Sequence, residues 1–302
     1  MAQTVLILGA RGRFGRNAAL AFERAGWRLR RFDRERDDLR LAAAGADVIV
    51  NGWNPAYPDW PRLVPRLTEQ VIEAARFSGA TVLVPGNVYV FGPGTPAPWS
   101  ERSPQAASNE LGRIRIEMEA AYRRAGVRTI VLRAGNFLDT EASGNWFDRM
   151  MIPRLAQGVF SYPGNPEIPH AWAYLPDVAR AAVELAARRE ELPAFVDIPF
   201  PGYTRSGAEM HRALAEVTGR PLRLKRMSWL PLYLARPFWP VAARLLEMRY
   251  LWETPHWLDA ARFDSLLPGF QMTPLHRALA AAIPSGLVGA QIHPDQPVTA
   301  RG

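Results

Sequence analysis

The chain of 302 residues has no cysteine and a single lysine, Lys225. The first absence excludes a thiol nucleophile, a disulfide framework and a cysteine-ligated metal. The five histidines are scattered rather than spaced as ligands on one element, so no metal site is expected. The scarcity of lysine leaves arginine to supply nearly all the basic side chains, and any chemistry that relies on a lysine amine in the first two-thirds of the chain is excluded. Near the N-terminus the apolar run is only a strand's length and no small-residue cleavage site follows, which points to a cytoplasmic chain.

What is present starts with charge. The formal net charge of +8 would suit nucleic acid or an anionic surface, but the arginines are spread along the chain and mixed with Asp and Glu. No nucleic-acid partner is therefore expected. A chain of this length buries a sizeable core as one large domain or two modest ones.

Short β-rich runs alternate with helical stretches through the first two-thirds. Strands are expected at 4–8, 28–32, 48–50, 81–84, 128–132 and 195–198, with helices at about 14–25, 62–77, 111–125 and 177–188. This alternation predicts an α/β fold, a Rossmann-type doubly wound parallel sheet covered on both faces. From about residue 201 the texture changes to helices and proline-rich turns, with Thr204 as the expected N-cap of a helix over 206–217. The expected division is a Rossmann domain over 1–200 with a substrate-lobe insertion at about 140–170, a smaller, mainly helical substrate lobe over 201–284, and a loose tail over 285–302.

The stretch 227–252 is strongly apolar and aromatic. Arg236, Arg244 and Glu247 interrupt it and Pro231, Pro237 and Pro240 break it, so stable membrane insertion is not expected. Core packing or a substrate-facing lid is the leading reading, with interfacial membrane contact or an oligomer surface as alternatives.

The sharpest motif is Gly9-Ala10-Arg11-Gly12-Arg13-Phe14-Gly15, directly after a strand and opening a helix. Glycines there permit a tight turn, let backbone approach a pyrophosphate and allow helix and strand to pack closely, while the helix N-terminus offers free N–H groups to the anion. A dinucleotide site is expected at Gly9, Arg11, Gly12, Arg13, Phe14 and Gly15. At the end of the second strand Asp33 suits the ribose hydroxyls of NAD, whereas Arg34 and Arg11 suit the 2′-phosphate of NADP. Both cofactors stay open.

With Asp47 to Gly52, Val82 to Gly92, Val131 to Asn136 and Ala173 to Ala179 added to the loop, the chain resembles an extended short-chain dehydrogenase/reductase of the NAD-dependent epimerase/dehydratase type over nearly its whole length. The resemblance implies NAD(P) in the N-terminal lobe, with Asn51 and Gly52 beside it, a small-molecule substrate between the lobes, and a homodimer. Two departures stand out. Between Asp33 and Asp47 a short link replaces a strand and helix, so the sheet is expected to be one strand short. The family's Tyr-x-x-x-Lys pair is also missing, since anchoring its helix on Glu117 puts Asn109 and Arg113 at those positions, and Asn87 falls where a Ser or Thr belongs.

Tyr89 offers a replacement. A phenol two residues before Phe91, with Asn87 as donor and Arg113 as cation, has the groups for acid/base work, against the plainer reading of a packed tyrosine. Trp53, Asn54, Tyr57 and Asn136 are expected to line the substrate site, with His170 as a further substrate ligand or general base against the plainer reading of a hydrogen-bonded structural histidine. His170 stands where nucleotide-sugar enzymes hold a pyrophosphate with Arg, which turns the expectation towards a smaller, less polar substrate. The leading expectation is an NAD(P)-dependent oxidoreductase or epimerase-like enzyme on a carbonyl or hydroxyl compound. The alternative is a non-catalytic NAD(P)-binding sensor or regulatory protein.

Overall fold

The computed structural model describes residues 2–290. The first half of the chain runs β1 (Thr4–Leu8), α1 (Arg13–Arg24), β2 (Arg28–Arg31), α2 (Leu39–Ala43), β3 (Val48–Asn51), α3 (Trp60–Ser78), β4 (Thr81–Asn87), α4 (Glu110–Ala125) and β5 (Thr129–Ala134). The second half runs β6 (Asn136–Leu138), β7 (Val159–Tyr162), β8 (Pro169–Tyr174), α5 (Leu175–Ala187), β9 (Phe195–Pro199), β10 (Tyr203–Ser206), α6 (Gly207–Thr218), β11 (Arg223–Arg226), α7 (Leu230–Ala235), α8 (Pro240–Glu247), α9 (Ala261–Leu266) and α10 (Leu275–Ala282).

Six strands form one parallel sheet in the order β2-β1-β3-β4-β5-β9. It is a Rossmann-type α/β fold. β1, β3 and β5 are buried along their whole length because helices cover both faces. Phe14, Ala18 and Phe22 of α1 and Val178, Ala182 and Leu185 of α5 pack on one face. Val64 and Val71 of α3 and Leu111 and Met118 of α4 pack on the other. Between β2 and β3 the chain forms only α2, so β2 ends the sheet, as the short link led us to expect. The strand order reverses between β1 and β3. That switch point opens a crevice beyond the carboxyl ends of the strands.

The second lobe is not purely helical. It contains a three-stranded sheet, β10-β8-β6, and a two-stranded one, β11-β7, with a core that includes Phe160, Tyr162, Trp172, Met210, Leu214 and Trp252. Segments from before and after residue 200 interleave in it. Thr204 lies in β10, and the cap of α6 is Ser206, whose hydroxyl accepts from Glu209 N–H while the Glu209 carboxylate accepts from Ser206 N–H. The start of the expected tail forms a short turn at Ser285–Leu287, and Gly289 N–H donates to Val217 O. Residues 291–302 lie outside the described residues. Among the described residues no helix is long and apolar enough to cross a membrane.

Candidate functional site

A cleft of about 880 Å³ opens at the carboxyl ends of β1, β3, β4 and β5. The turn after β1 forms one end of it. Gly9 has φ +71°, and a Cβ there would stand 2.8 Å from the Gly52 carbonyl oxygen. Gly15 sits deeper, where a Cβ would fall 2.1 Å from the Gly9 carbonyl oxygen, so helix and strand close on each other only without side chains. Gly12, Arg13 and Phe14 border the cleft. Gly12 also caps α1 with no side-chain acceptor, and no acid occupies the first turn, so the helix presents unpaired N–H groups and positive potential there. The cradle fits a pyrophosphate. Arg13 reaches across to donate to the Ser143 carbonyl at 3.2 Å, and Arg149 packs beside Gly144 in the same wall.

At the other end the chain gathers two phenols and a guanidinium. Tyr57 lies in the turn that leads into α3, and Tyr89 in a 3-10 turn after β4. Their hydroxyls are 2.6 Å apart. Asn87 caps the Tyr89 turn through Oδ1, which accepts from Tyr89 N–H at 3.0 Å, so its amide NH2 remains as a donor group. Arg115 projects from α4, donates to Asn54 Oδ1 at 2.7 Å and lies over the Trp60 ring with its guanidinium carbon 4.1 Å from the centroid.

These groups sit in low dielectric. Burial, and then the neighbouring Tyr57, hold the Tyr89 phenol well above its ordinary pKa, with Arg13 and Arg115 opposing. Burial likewise lowers the Arg115 pKa, against the pull of Glu119 and the phenols. Near neutral pH Tyr89 therefore offers a neutral O–H group, hydrogen-bonded to the Tyr57 hydroxyl, beside a cation. It can donate hydrogen bonds to an oxygen and stabilise negative charge on it.

A buried ion cluster supports this end from below. Arg133 of β5 is fully buried and reaches Glu119 at 2.7 Å, Asp197 at 2.5 Å and the Asn87 carbonyl at 2.5 Å. Burial alone would lower its pKa, but the two carboxylates outweigh that and raise it. One guanidinium thus ties the end of β4 to α4 and β9.

Of the residues expected from sequence, Gly9, Gly12, Arg13, Phe14, Arg34, Gly52, Trp53, Asn54, Tyr57, Asn87, Tyr89 and Asn136 border this cleft. Others do not. Arg113 points to solvent on α4, and Arg115, two residues later, takes the place expected of it. The residue four positions before Arg115 is Leu111, whereas Asn109 serves as the N-cap of α4. The helix is therefore read two residues too early when anchored on Glu117, and Glu119 gives the register that matches the cleft. Asn51 is spent inside, its Nδ2 donating to the Tyr122 hydroxyl at 2.9 Å and its Oδ1 accepting from Trp53 N–H. Gly15 acts through packing beneath the loop, and Arg11 is exposed away from the cleft.

Asp33 also lies off the cleft, its Oδ1 accepting from Glu35 N–H at 3.0 Å, while Arg34 lies over Trp53 with its guanidinium carbon 4.9 Å from the ring centroid. His170 is fully buried, bonded through Nδ1 to the Tyr162 hydroxyl and packed 4.9 Å from the His256 ring. Burial, helped by His256, pushes its pKa well below the ordinary value, so it is a neutral interior group rather than a ligand in the cleft. Arg115, Arg149 and Trp146 border the cleft and were not anticipated. Of these, only Arg115 carried a signal in the sequence, its spacing to Glu119.

No protein-family model matches the sequence, and no curated protein is similar to it in sequence. Solved structures do match. MoeE5 in complex with UDP-glucose and NAD superposes with a TM-score of 0.69 at 17% identity, covering 93% of this chain and 97% of that one. RMD from Pseudomonas aeruginosa complexed with NADPH gives 0.70 at 16% identity, covering 93% and 96%. The chain shares its Rossmann-type fold with these structures. Within that fold the GalE-like L-threonine dehydrogenase from Cupriavidus necator also matches, with a TM-score of 0.67 at 20% identity over 93% of this chain and 98% of that one. The likeness thus spans both lobes described above.

Proposed function

We propose that the chain is an NAD(P)-dependent oxidoreductase or epimerase-like enzyme that acts on a small carbonyl or hydroxyl compound with a non-standard set of acid/base residues. One observation carries the reading: the glycine loop with its open helix N-terminus and the Tyr57–Tyr89–Arg115 group line the same cleft. The structures that superpose on it include NAD and NADPH complexes. A nicotinamide bound there supplies hydride transfer.

The chain's own residues do the rest. Gly12 and the first turn of α1, with Arg13, hold the pyrophosphate. Arg34 takes the ribose end, and since Asp33 is turned to its own loop, the reading favours the phosphorylated cofactor. Tyr89, backed by Tyr57, donates to the substrate oxygen, Arg115 stabilises charge that develops on it, and the amide of Asn87 adds a second donor. Trp146, Phe137 and Leu245 keep water from the reacting carbon.

Calorimetric titration with NAD, NADH, NADP and NADPH tests this. The expected result is binding, tighter for NADP and NADPH, and weakened by Arg34→Ala about tenfold to a hundredfold for that pair. No binding by any of the four would overturn the proposal. A second reading, a non-catalytic NAD(P)-binding sensor or regulatory protein, is favoured by one fact: the two phenols bond to each other and burial opposes the ionisation of Tyr89. Preference for one redox form without turnover of any carbonyl compound would select it.

A further inference from the structure

Between Glu216 and Glu247 the chain has no carboxylate and six basic residues, Arg220, Arg223, Lys225, Arg226, Arg236 and Arg244. The same stretch builds the corner where α7 meets α8. Its inner side is anchored, with Trp229, Leu232 and Ala242 buried in the core of the second lobe. Its outer side is apolar and open. Phe238 is 90% exposed and Leu234 68%, and Leu230, Tyr233 and Trp239 are exposed beside them. Pro237 and Pro240 stiffen the corner, so this surface is held out rather than folded back. A contiguous group of large apolar side chains like this marks an interaction face.

Charge selects the occupant. Arg236 lies within the patch, between Leu234 and Phe238, and Arg249 borders it, its Nη1 donating to the Tyr233 hydroxyl at 3.3 Å. Among the described residues Arg236 has no carboxylate partner, whereas Arg226 pairs with Glu253 and Arg244 with Glu110 and Glu247. A two-fold contact would bring together two copies of a patch whose charged members, Arg236 and Arg249, are both cations. An anionic lipid surface would instead pair Arg236 and Arg249, take Phe and Leu into the acyl boundary and seat Trp and Tyr at headgroup level. The corner also touches the cleft, because Trp239, Val241 and Leu245 form part of the cleft's wall.

We propose that the α7–α8 corner docks the protein on an anionic lipid bilayer, with Phe238, Leu234 and Leu230 entering the interface. The cleft then receives a carbonyl or hydroxyl compound dissolved in lipid, a clause that rests on the oxidoreductase reading above.

Flotation of the full chain with phosphatidylcholine vesicles, with and without phosphatidylglycerol, tests the docking. The wild type is expected to float with the anionic vesicles and to release as salt is raised. The double substitution Phe238→Ser with Leu234→Ser is expected to lower vesicle partitioning roughly tenfold or more, and Arg236→Glu about tenfold. Both changes lie outside the cleft and should leave dinucleotide titrations unaltered, which separates a failure of docking from a failure of the cofactor reading. Wild-type protein that stays unbound with anionic vesicles, or that binds neutral vesicles equally well and ignores Arg236→Glu, would overturn the proposal. So would a dimer in light scattering that Phe238→Ser with Leu234→Ser disperses, since the occupant would then be a second copy.

Discussion

The hydroxyls of Tyr57 and Tyr89 meet at 2.6 Å although α3 and β4 separate them in the chain. Removing either oxygen leaves the other without that partner in the wall of the cleft. If this pair serves the substrate, Tyr89→Phe lowers turnover of any accepted carbonyl compound by about 10²- to 10⁴-fold while dinucleotide affinity holds. A steady-state rate equal to wild type would take the pair out of the chemistry.

The glycine loop separates binding from folding. Gly12→Val places its side chain on the cleft border and is expected to abolish dinucleotide binding with the fold intact, as read by calorimetry and circular dichroism. Gly15→Ala puts its Cβ 2.1 Å from the Gly9 carbonyl oxygen and is expected to lower stability itself. Equal melting curves for Gly15→Ala and wild type would contradict that packing.

Arg133 binds two carboxylates and the Asn87 carbonyl inside the protein. Arg133→Met strands both acids without a counter-charge and should cost roughly 3–5 kcal/mol in urea unfolding. A smaller loss would mean that Glu119 and Asp197 find other partners.

His256 gives a pH signature. Burial, opposed only by its hydrogen bond to the Thr254 carbonyl, lowers its pKa to about 4. The unfolded chain therefore takes up this proton first as pH falls. The histidine's contribution is fully present above its unfolded value of about 6.5 and is lost between there and about pH 4, a swing of roughly 3 kcal/mol. His170 adds to it with the same sign. In urea titrations His256→Phe, which keeps the stack on Trp99, is expected to flatten the acid slope by about one proton. An unchanged slope would assign the dependence to carboxylates instead.

The fold was legible where periodicity and turn chemistry agreed. Short, β-branched apolar runs such as 5–8 and 130–132 read as interior strands, and the glycine turn marked where the crevice opens. Site residues were harder wherever a one- or two-residue offset decides the face. Glu117 and Glu119 lie two apart on α4, and only the second is buried against Arg133, so the sequence alone put Arg113 in the cleft and left Arg115 outside it. His170 sits on β8, where alternation determines which side a residue serves, and its side proved to be the interior of the second lobe. Arg149 and Trp146 reach the cleft from a single π turn and the residue before it, which has no periodic signature.

Only α2 lies between β2 and β3, and β2 is left as an open flank of the sheet. A sheet that stops at β2 exposes a row of backbone donors and acceptors to any passing strand, and such rows seed aggregation. Here that strand is Arg28-Leu29-Arg30-Arg31. Arg30 folds over the end of α2 to bond the carbonyls of Ala42 and Ala44, and Arg31 lies 3.7 Å from Glu23. Another strand that tried to extend the sheet would meet bulk and positive charge at nearly every step, so the arginines of β2 guard the edge at which the sheet stops.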